Sequence, residues 1–183
     1  METALKIMQA AAFVAGLSAV ALYLWCFQLK EAKKIVACKI LSNMFYFIQY
    51  VLLFAWVGAA MDVAALITSF FAYKKDNPFV KKHKIPILII TNLGIVTVGL
   101  LLFENFFSLF AIAGVLVESL STWMKNGKMI RVISLFAVPC WLVYNIAAGA
   151  YGSVIGNVLA MISIVASLIR YSSKVRNADE AAT

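Results

Sequence analysis

Long apolar runs separated by short polar breaks make up most of this chain. Their lengths suit membrane-crossing helices better than strands or half-buried surface helices. The breaks delimit seven spans: Ile7–Phe27, Ile35–Trp56, the short Ala60–Tyr73, Ile85–Phe103, Phe107–Met124, Ile130–Ala147 and Ser153–Ile169. Val57-Gly58-Ala59, Glu104-Asn105 and the Gly149–Gly152 region read as turns at one end of the spans. Asp76-Asn77-Pro78, within the long loop Lys74–Lys84, and Asn126-Gly127 read as turns at the other. No charged residue occurs between Val132 and Ile169. That stretch is too long for one helix across about 30 Å of hydrocarbon, so it must be a hairpin broken near Gly149–Gly152. Residues 176–183 read as a disordered polar tail.

Charge gives the spans a direction. Fifteen of the sixteen Lys and Arg residues fall in four clusters, around Lys30–Lys39, Lys74–Lys84, Lys125–Arg131 and Arg170–Arg176, and only Lys6 lies outside them. Basic residues beside membrane spans favour the cytoplasmic side. With all four clusters inside, the N-terminus is outside, the C-terminus is inside and seven helices cross. The expected fold is therefore an all-α membrane protein of seven transmembrane helices. Composition agrees, because 64% of the chain is hydrophobic and only 13% charged, with a mean hydropathy of +0.94. No room remains for a soluble catalytic domain. The net charge of +8 belongs to helix ends facing anionic head groups, so nucleic acid is not an expected partner. Ala19-Val20-Ala21 resembles a signal cleavage site, yet the apolar stretch around it runs from Ile7 to Leu29, too long for a signal peptide.

An internal repeat orders the spans. A shift of 98 residues places Ala15-Gly16 on Ala113-Gly114, Leu22 on Leu120 and Trp25 on Trp123. A shift of 95 places Tyr46 on Trp141, Tyr50 on Asn145, Asp62 on Asn157 and Thr68 on Ser163. Spans one to three and five to seven all begin from the same side pattern, so the two triplets are parallel repeats, a 3+1+3 arrangement. The expected units are 1–80, a first three-helix bundle, 81–104, a linker helix, and 105–175, a second bundle.

Trp123, Asn126-Gly127, Arg131, the run Pro139-Cys140-Trp141-Leu142-Val143-Tyr144-Asn145, Gly149, Gly156 and Arg170-Tyr171 resemble the YgjV family of bacterial inner-membrane proteins. That resemblance implies a multi-pass location in the bacterial plasma membrane and no particular activity. The 3+1+3 layout also resembles the SWEET and PQ-loop-like transporters, with the PnuC nicotinamide riboside carriers as relatives. In SWEET-type carriers paired asparagines on the third and seventh helices line the pocket. The resemblance puts Asp62 and Asn157 in those places, with Asp62 departing from the Asn of the pattern. Pro139 is the only proline inside a span, whereas the SWEET pattern has several.

Polar groups in hydrocarbon need a partner or a water-filled cavity. Asp62 is either a substrate or proton site facing a central pocket or a solvated residue one turn below the outer surface. Glu118 is either a protonatable gate or half of an ion pair with a basic residue of an inner loop, such as Arg131. Trp141 and Asn145, spaced i, i+4, share a helix face, and Tyr46 and Tyr50 hold the equivalent positions. An aromatic wall beside a hydrogen-bonding polar group suits a ring-bearing or small polar solute. The plainer alternative is lipid and helix packing. Pro139 is a hinge or a fixed kink. Asn43, Gln49 and Asn92 are weaker candidates, and Gly152-x-x-x-Gly156 marks close helix packing.

Cys26, Cys38, Cys140 and the lone His83 have no metal or disulfide spacing. No nucleophile–base set or phosphate loop occurs, so neither an enzyme nor a cofactor is expected. The expected function is a small-solute carrier or facilitator, with a non-transporting receptor or scaffold as the alternative. The expected partners are the lipid bilayer, a small polar or ring-bearing solute and a second copy of the chain in a homo-oligomer.

Overall fold

A chain this apolar satisfies its backbone by coiling it, because hydrocarbon offers no partner to an exposed amide. The computed structural model describes the backbone of residues 2–180 and the side chains of residues 3 and 5–170. Its described residues are helical, with no strands. The helices are α1 (Glu2–Cys26), α2 (Ala32–Leu52), α3 (Trp56–Tyr73), α4 (Pro78–Lys82), α5 (Lys84–Leu101), α6 (Ser108–Thr122), α7 (Gly127–Ala147) and α8 (Tyr151–Glu180). Six of them are long and apolar enough to cross a membrane, namely α1, α2, α3, α5, α7 and α8. The seventh apolar helix, α6, has 15 residues and spans about 22 Å, short of the hydrocarbon thickness. The tail expected at 176–183 lies outside the described side chains, and its last three residues lie outside the described backbone.

Six helices close a ring in the order α1, α2, α3, α6, α7, α8, each packed on the next and α8 on α1. Between the two halves of the ring, α2 meets α7 lightly across the middle. Helix α5 lies outside the ring against α3 and α6, and buries only Ile95 and Gly99. Its Ile85, Ile90, Leu93 and Leu101 are left on the outer surface, as a lipid-facing helix requires. Two apolar cores fill the ends of the ring. One, around Phe27, Ile35, Val36, Trp123 and Ile130, lies at the basic end. The other, around Val57, Met61, Ala111, Tyr144 and Ala150, lies at the opposite end.

Glycine sets the closest approaches. A Cβ on Gly156 would meet Val20 Cγ2 at 2.0 Å, so α8 lies directly on α1, as the Gly-x-x-x-Gly spacing anticipates. A Cβ on Gly16 would meet the Gln49 amide at 2.6 Å.

The turns are shifted from their expected places. The expected turn at Val57-Gly58-Ala59 is helical, and the break falls earlier, at Leu53–Ala55, where Phe54 takes φ 56°. Gly58 is needed inside α3 because a Cβ there would lie 2.9 Å from the Tyr50 ring. The hairpin between α7 and α8 breaks at Gly149, φ 66°, as expected, but Tyr151 and Gly152 already belong to α8. The two breaks share one hydrogen-bond pattern: the Ala55 N–H donates to Tyr50 O at 3.0 Å, and the Ala150 N–H donates to Asn145 O at 3.0 Å. At the basic end Asn77 and Asn126 cap α4 and α7, accepting the Phe79 and Lys128 N–H at 3.0 and 2.8 Å.

Basic residues stitch the loops together. Arg131 is buried and donates to Phe27 O and Leu29 O at 2.9 and 2.7 Å, closing the carbonyl end of α1. Lys75 Nζ donates to Met124 O at 2.5 Å. Burial there lowers the Lys75 ammonium below the usual lysine range.

Candidate polar cavity

All six ring helices place a side chain on one internal cavity near mid-length. Tyr23 comes from α1; Asn43, Tyr46 and Tyr50 from α2; Asp62 and Ala65 from α3; Val115 and Glu118 from α6; Val138, Trp141 and Asn145 from α7; Asn157 from α8. The helical repeat explains why single helices give several: residues 46 and 50, or 141 and 145, lie one turn apart on one face. The cavity lies between the two apolar cores. Its volume is about 30 Å³, room for about two waters and far below the several hundred Å³ of a typical solute pocket.

Of the eight residues singled out from sequence, seven line this cavity: Tyr46, Tyr50, Asp62, Glu118, Trp141, Asn145 and Asn157. Pro139 does not. It sits half-buried within a continuous α7, between Val138 and the unlined Cys140.

Aromatic packing and one hydrogen bond close the end away from the basic loops. The Tyr50 hydroxyl donates to Asn145 Oδ1 at 2.5 Å. Its ring stacks on Trp141, with centroids 6.2 Å apart and planes 18° from parallel, and meets Tyr144 edge-on at 6.0 Å. The Tyr144 hydroxyl accepts the Gly58 N–H at 2.8 Å. Gly114 lets Trp141 in, since a Cβ there would stand 3.0 Å from the indole nitrogen. Outside the lining, Ser153 donates to Gln49 Oε1 at 2.5 Å.

A buried ion pair closes the other end. Lys39 reaches from α2 to Glu118 of α6, and both are buried. Lys39 Nζ also donates to Ser134 Oγ of α7 at 2.8 Å and to Ser121 Oγ at 3.3 Å. Ser121 in turn lies 2.8 Å from Ser134 and donates to Ile130 O at 3.0 Å. All three ammonium protons therefore find acceptors, the condition for a buried charge to persist. The expected pairing of Glu118 with Arg131 is not what forms, because Arg131 is engaged at the end of α1. Lys39, counted with the basic cluster Lys30–Lys39 although it falls within the span Ile35–Trp56, lies two turns into α2 at 1% exposure. One signal was present in the sequence. Lys39, Asp62, Glu118 and Arg131 are the charges set inside the apolar spans, and opposite signs among them invite pairing.

Three polar atoms on the cavity wall have no hydrogen-bond partner: Asp62 Oδ2, Glu118 Oε2 and Asn157 Nδ2. Asp62 and Asn157 are 3% and 5% exposed. Buried groups in this condition are rare, and water or a ligand normally supplies what the protein does not. Of the weaker candidates, Asn43 joins the lining, Gln49 pairs with Ser153, and Asn92 bonds back to Leu88 O within α5, away from the cavity.

Among the described residues no group of acidic, His and Cys side chains has metal-binding geometry. A family model described as Imp-YgjV, bacterial inner membrane protein, matches residues 10–175. No curated protein and no solved structure gives a significant match.

Proposed function

The chain belongs to the Imp-YgjV family and is a multi-pass protein of the bacterial inner membrane, and on that premise we propose that it is a small-solute carrier or facilitator working through its central cavity. The observation that carries this reading is the set of unpartnered polar atoms of Asp62, Glu118 and Asn157 in a cavity walled by Tyr46, Tyr50 and Trp141. Six buried side-chain atoms among the described residues lack a partner and three of them converge on this cavity, each costing about 1–3 kcal/mol unless water or a solute supplies one.

In this reading α1–α3 and α6–α8 are parallel repeats joined by α5, with the basic loops cytoplasmic and the N-terminus outside, as in SWEET-like and PnuC-like carriers. The shift of 95 supports it at several contacts. Phe54 and Gly149, 95 apart, both have positive φ. Tyr50–Asn145 and Lys39–Ser134 are hydrogen-bonded pairs 95 apart. Gln49–Ser153 and Tyr144–Gly58 exchange places under the same shift. Two-fold related halves would touch each other at equivalent residues in this way.

The two closures then act as gates. Tyr50–Asn145 and the Lys39–Glu118–Ser134 cluster each tie α2 to the second half, one on either side of the cavity. Rocking of one bundle on the other opens one while the other holds, and the small volume corresponds to an occluded state.

A specific observation favours a second reading, a receptor or scaffold that does not transport. The cavity is far smaller than a sugar or nucleoside, and a hydrogen bond and an ion pair tie the helices together on either side of it. Uptake by proteoliposomes decides between them. Labelled sugars, nucleosides, vitamins, amino acids and amines are tested against native protein and Asn157→Ala. Saturable uptake lost in the variant supports the carrier. No uptake of any class, with Asn157→Ala as stable as the native protein, removes it.

A further inference from the structure

Asp62 is the carboxyl of the cavity that lacks a counterion. Among the described residues it has no ion pair and no hydrogen bond to a side chain, and its Oδ2 is buried without a partner. Glu118, the other carboxyl of the lining, is neutralised by Lys39. Two carboxyls against one ammonium leave the ionised cavity with one negative charge in excess. An isolated carboxylate in such a place is costly by several kcal/mol, so the site is built for something positive.

The walls say which kind of cation. Tyr46, Tyr50 and Trp141 line the same cavity as the carboxyl, and aromatic rings attract ammonium-type cations. Hard metal cations need a shell of about six oxygens, and most of this wall is ring and hydrocarbon. The orphan atoms suit a donor: Asp62 Oδ2 and Glu118 Oε2 accept, and an amide flip at Asn157 brings its Oδ1 to the place of the unpartnered Nδ2. The volume, about 30 Å³, fits an occupant of one or two heavy atoms. Resting on the reading of the cavity as a solute site, we propose that it binds a small ammonium-type cation, ammonium or a short primary amine such as methylammonium, with Asp62 as counterion and Tyr46, Tyr50 and Trp141 as walls.

The test is thermal unfolding of the purified full-length protein in detergent, titrated with methylammonium chloride and with ammonium chloride in place of potassium chloride at constant ionic strength. The expected result is a saturable rise in Tm with either ammonium salt, abolished in Asp62→Asn. Trp141→Leu keeps the carboxyl and removes one ring, so its half-saturation should rise about 2- to 30-fold. It serves as the second variant if Asp62→Asn does not yield folded protein. No saturable rise, an equal response to potassium, or an unchanged response in a folded Asp62→Asn would overturn the proposal. Labelled methylammonium uptake into proteoliposomes separates the two claims. Binding without uptake keeps the cation site and removes carriage. Uptake of a neutral solute with no ammonium response keeps carriage and removes the cation site.

Discussion

Lys39 of α2 and Glu118 of α6 form an ion pair inside the helix ring, and the same ammonium holds Ser134 of α7 at 2.8 Å. One side chain thus fastens three helices from both halves of the ring. Its position, one turn from Asn43 on α2, places it against the basic-end wall of the cavity. Removing either partner strands the other charge. Lys39→Met and Glu118→Gln should each lower unfolding free energy by roughly 3–5 kcal/mol. The double variant should recover much of that loss, because no buried charge is left alone. Denaturant titration of all three in detergent, read as a double-mutant cycle, checks the coupling. Additive losses would show that the pair contributes little.

Phe54 holds a left-handed backbone at φ 56° between α2 and α3, and Gly149 holds one at φ 66° between α7 and α8. For a residue with a Cβ this conformation costs about 1–2 kcal/mol. Phe54 is 57% exposed, so its ring loses little when removed. Phe54→Gly should therefore leave stability unchanged or raise it by about 1 kcal/mol, while Gly149→Ala should lower it by a similar amount. Paired melting curves decide this. A large loss in Phe54→Gly would mean that the ring, through its edge contact with Trp56, matters more than the strain.

Gly156 has no room for a methyl group, since a Cβ there would overlap Val20 at 2.0 Å. Gly156→Ala must push α8 off α1, and overpacking of this kind costs about 1–3 kcal/mol. Gly94 on α5 has open space around it, so Gly94→Ala should be neutral or stabilising. A thermal comparison of the two variants measures the contrast. Equal behaviour would contradict the close α1–α8 seam.

Arg131 donates charged hydrogen bonds to Phe27 O and Leu29 O. Arg131→Ala should cost about 1.5–3 kcal/mol and loosen the end of α1. Arg131→Lys should restore only part, since an ammonium cannot fork across two carbonyls as a guanidinium does. Protease or hydrogen-exchange protection at residues 26–31 reads the loosening directly. Unchanged protection in Arg131→Ala would dismiss the cap.

At the cavity, Tyr50→Phe removes only the hydroxyl that donates to Asn145 and leaves a buried amide oxygen without its donor. The expected loss is about 1–3 kcal/mol of stability. As a gate, the same change should also raise leak of small solutes through proteoliposomes. Unaltered leak with lowered stability would make the bond structural only.

The sequence determined the class of the protein and most of the candidate site. Apolar runs of helix length leave no choice but a helical membrane protein, because backbone amides must be satisfied within each segment. Polar residues in those runs, Asp62, Asn145 and Asn157 among them, stand out because hydrocarbon makes each one costly, and that cost is local enough to be read from one segment. Pairing is not local. Whether Glu118 meets Lys39 or Arg131 depends on which helices become neighbours and how they rotate, so its partner is decided only where α2, α6 and α7 come together. The same holds for the break at Phe54. Gly58 looked like the turn, but its missing Cβ serves the Tyr50 and Tyr144 rings, and the chain bends instead at a residue with no turn chemistry of its own. Only the tertiary structure decides these, since each depends on contacts between residues tens of positions apart.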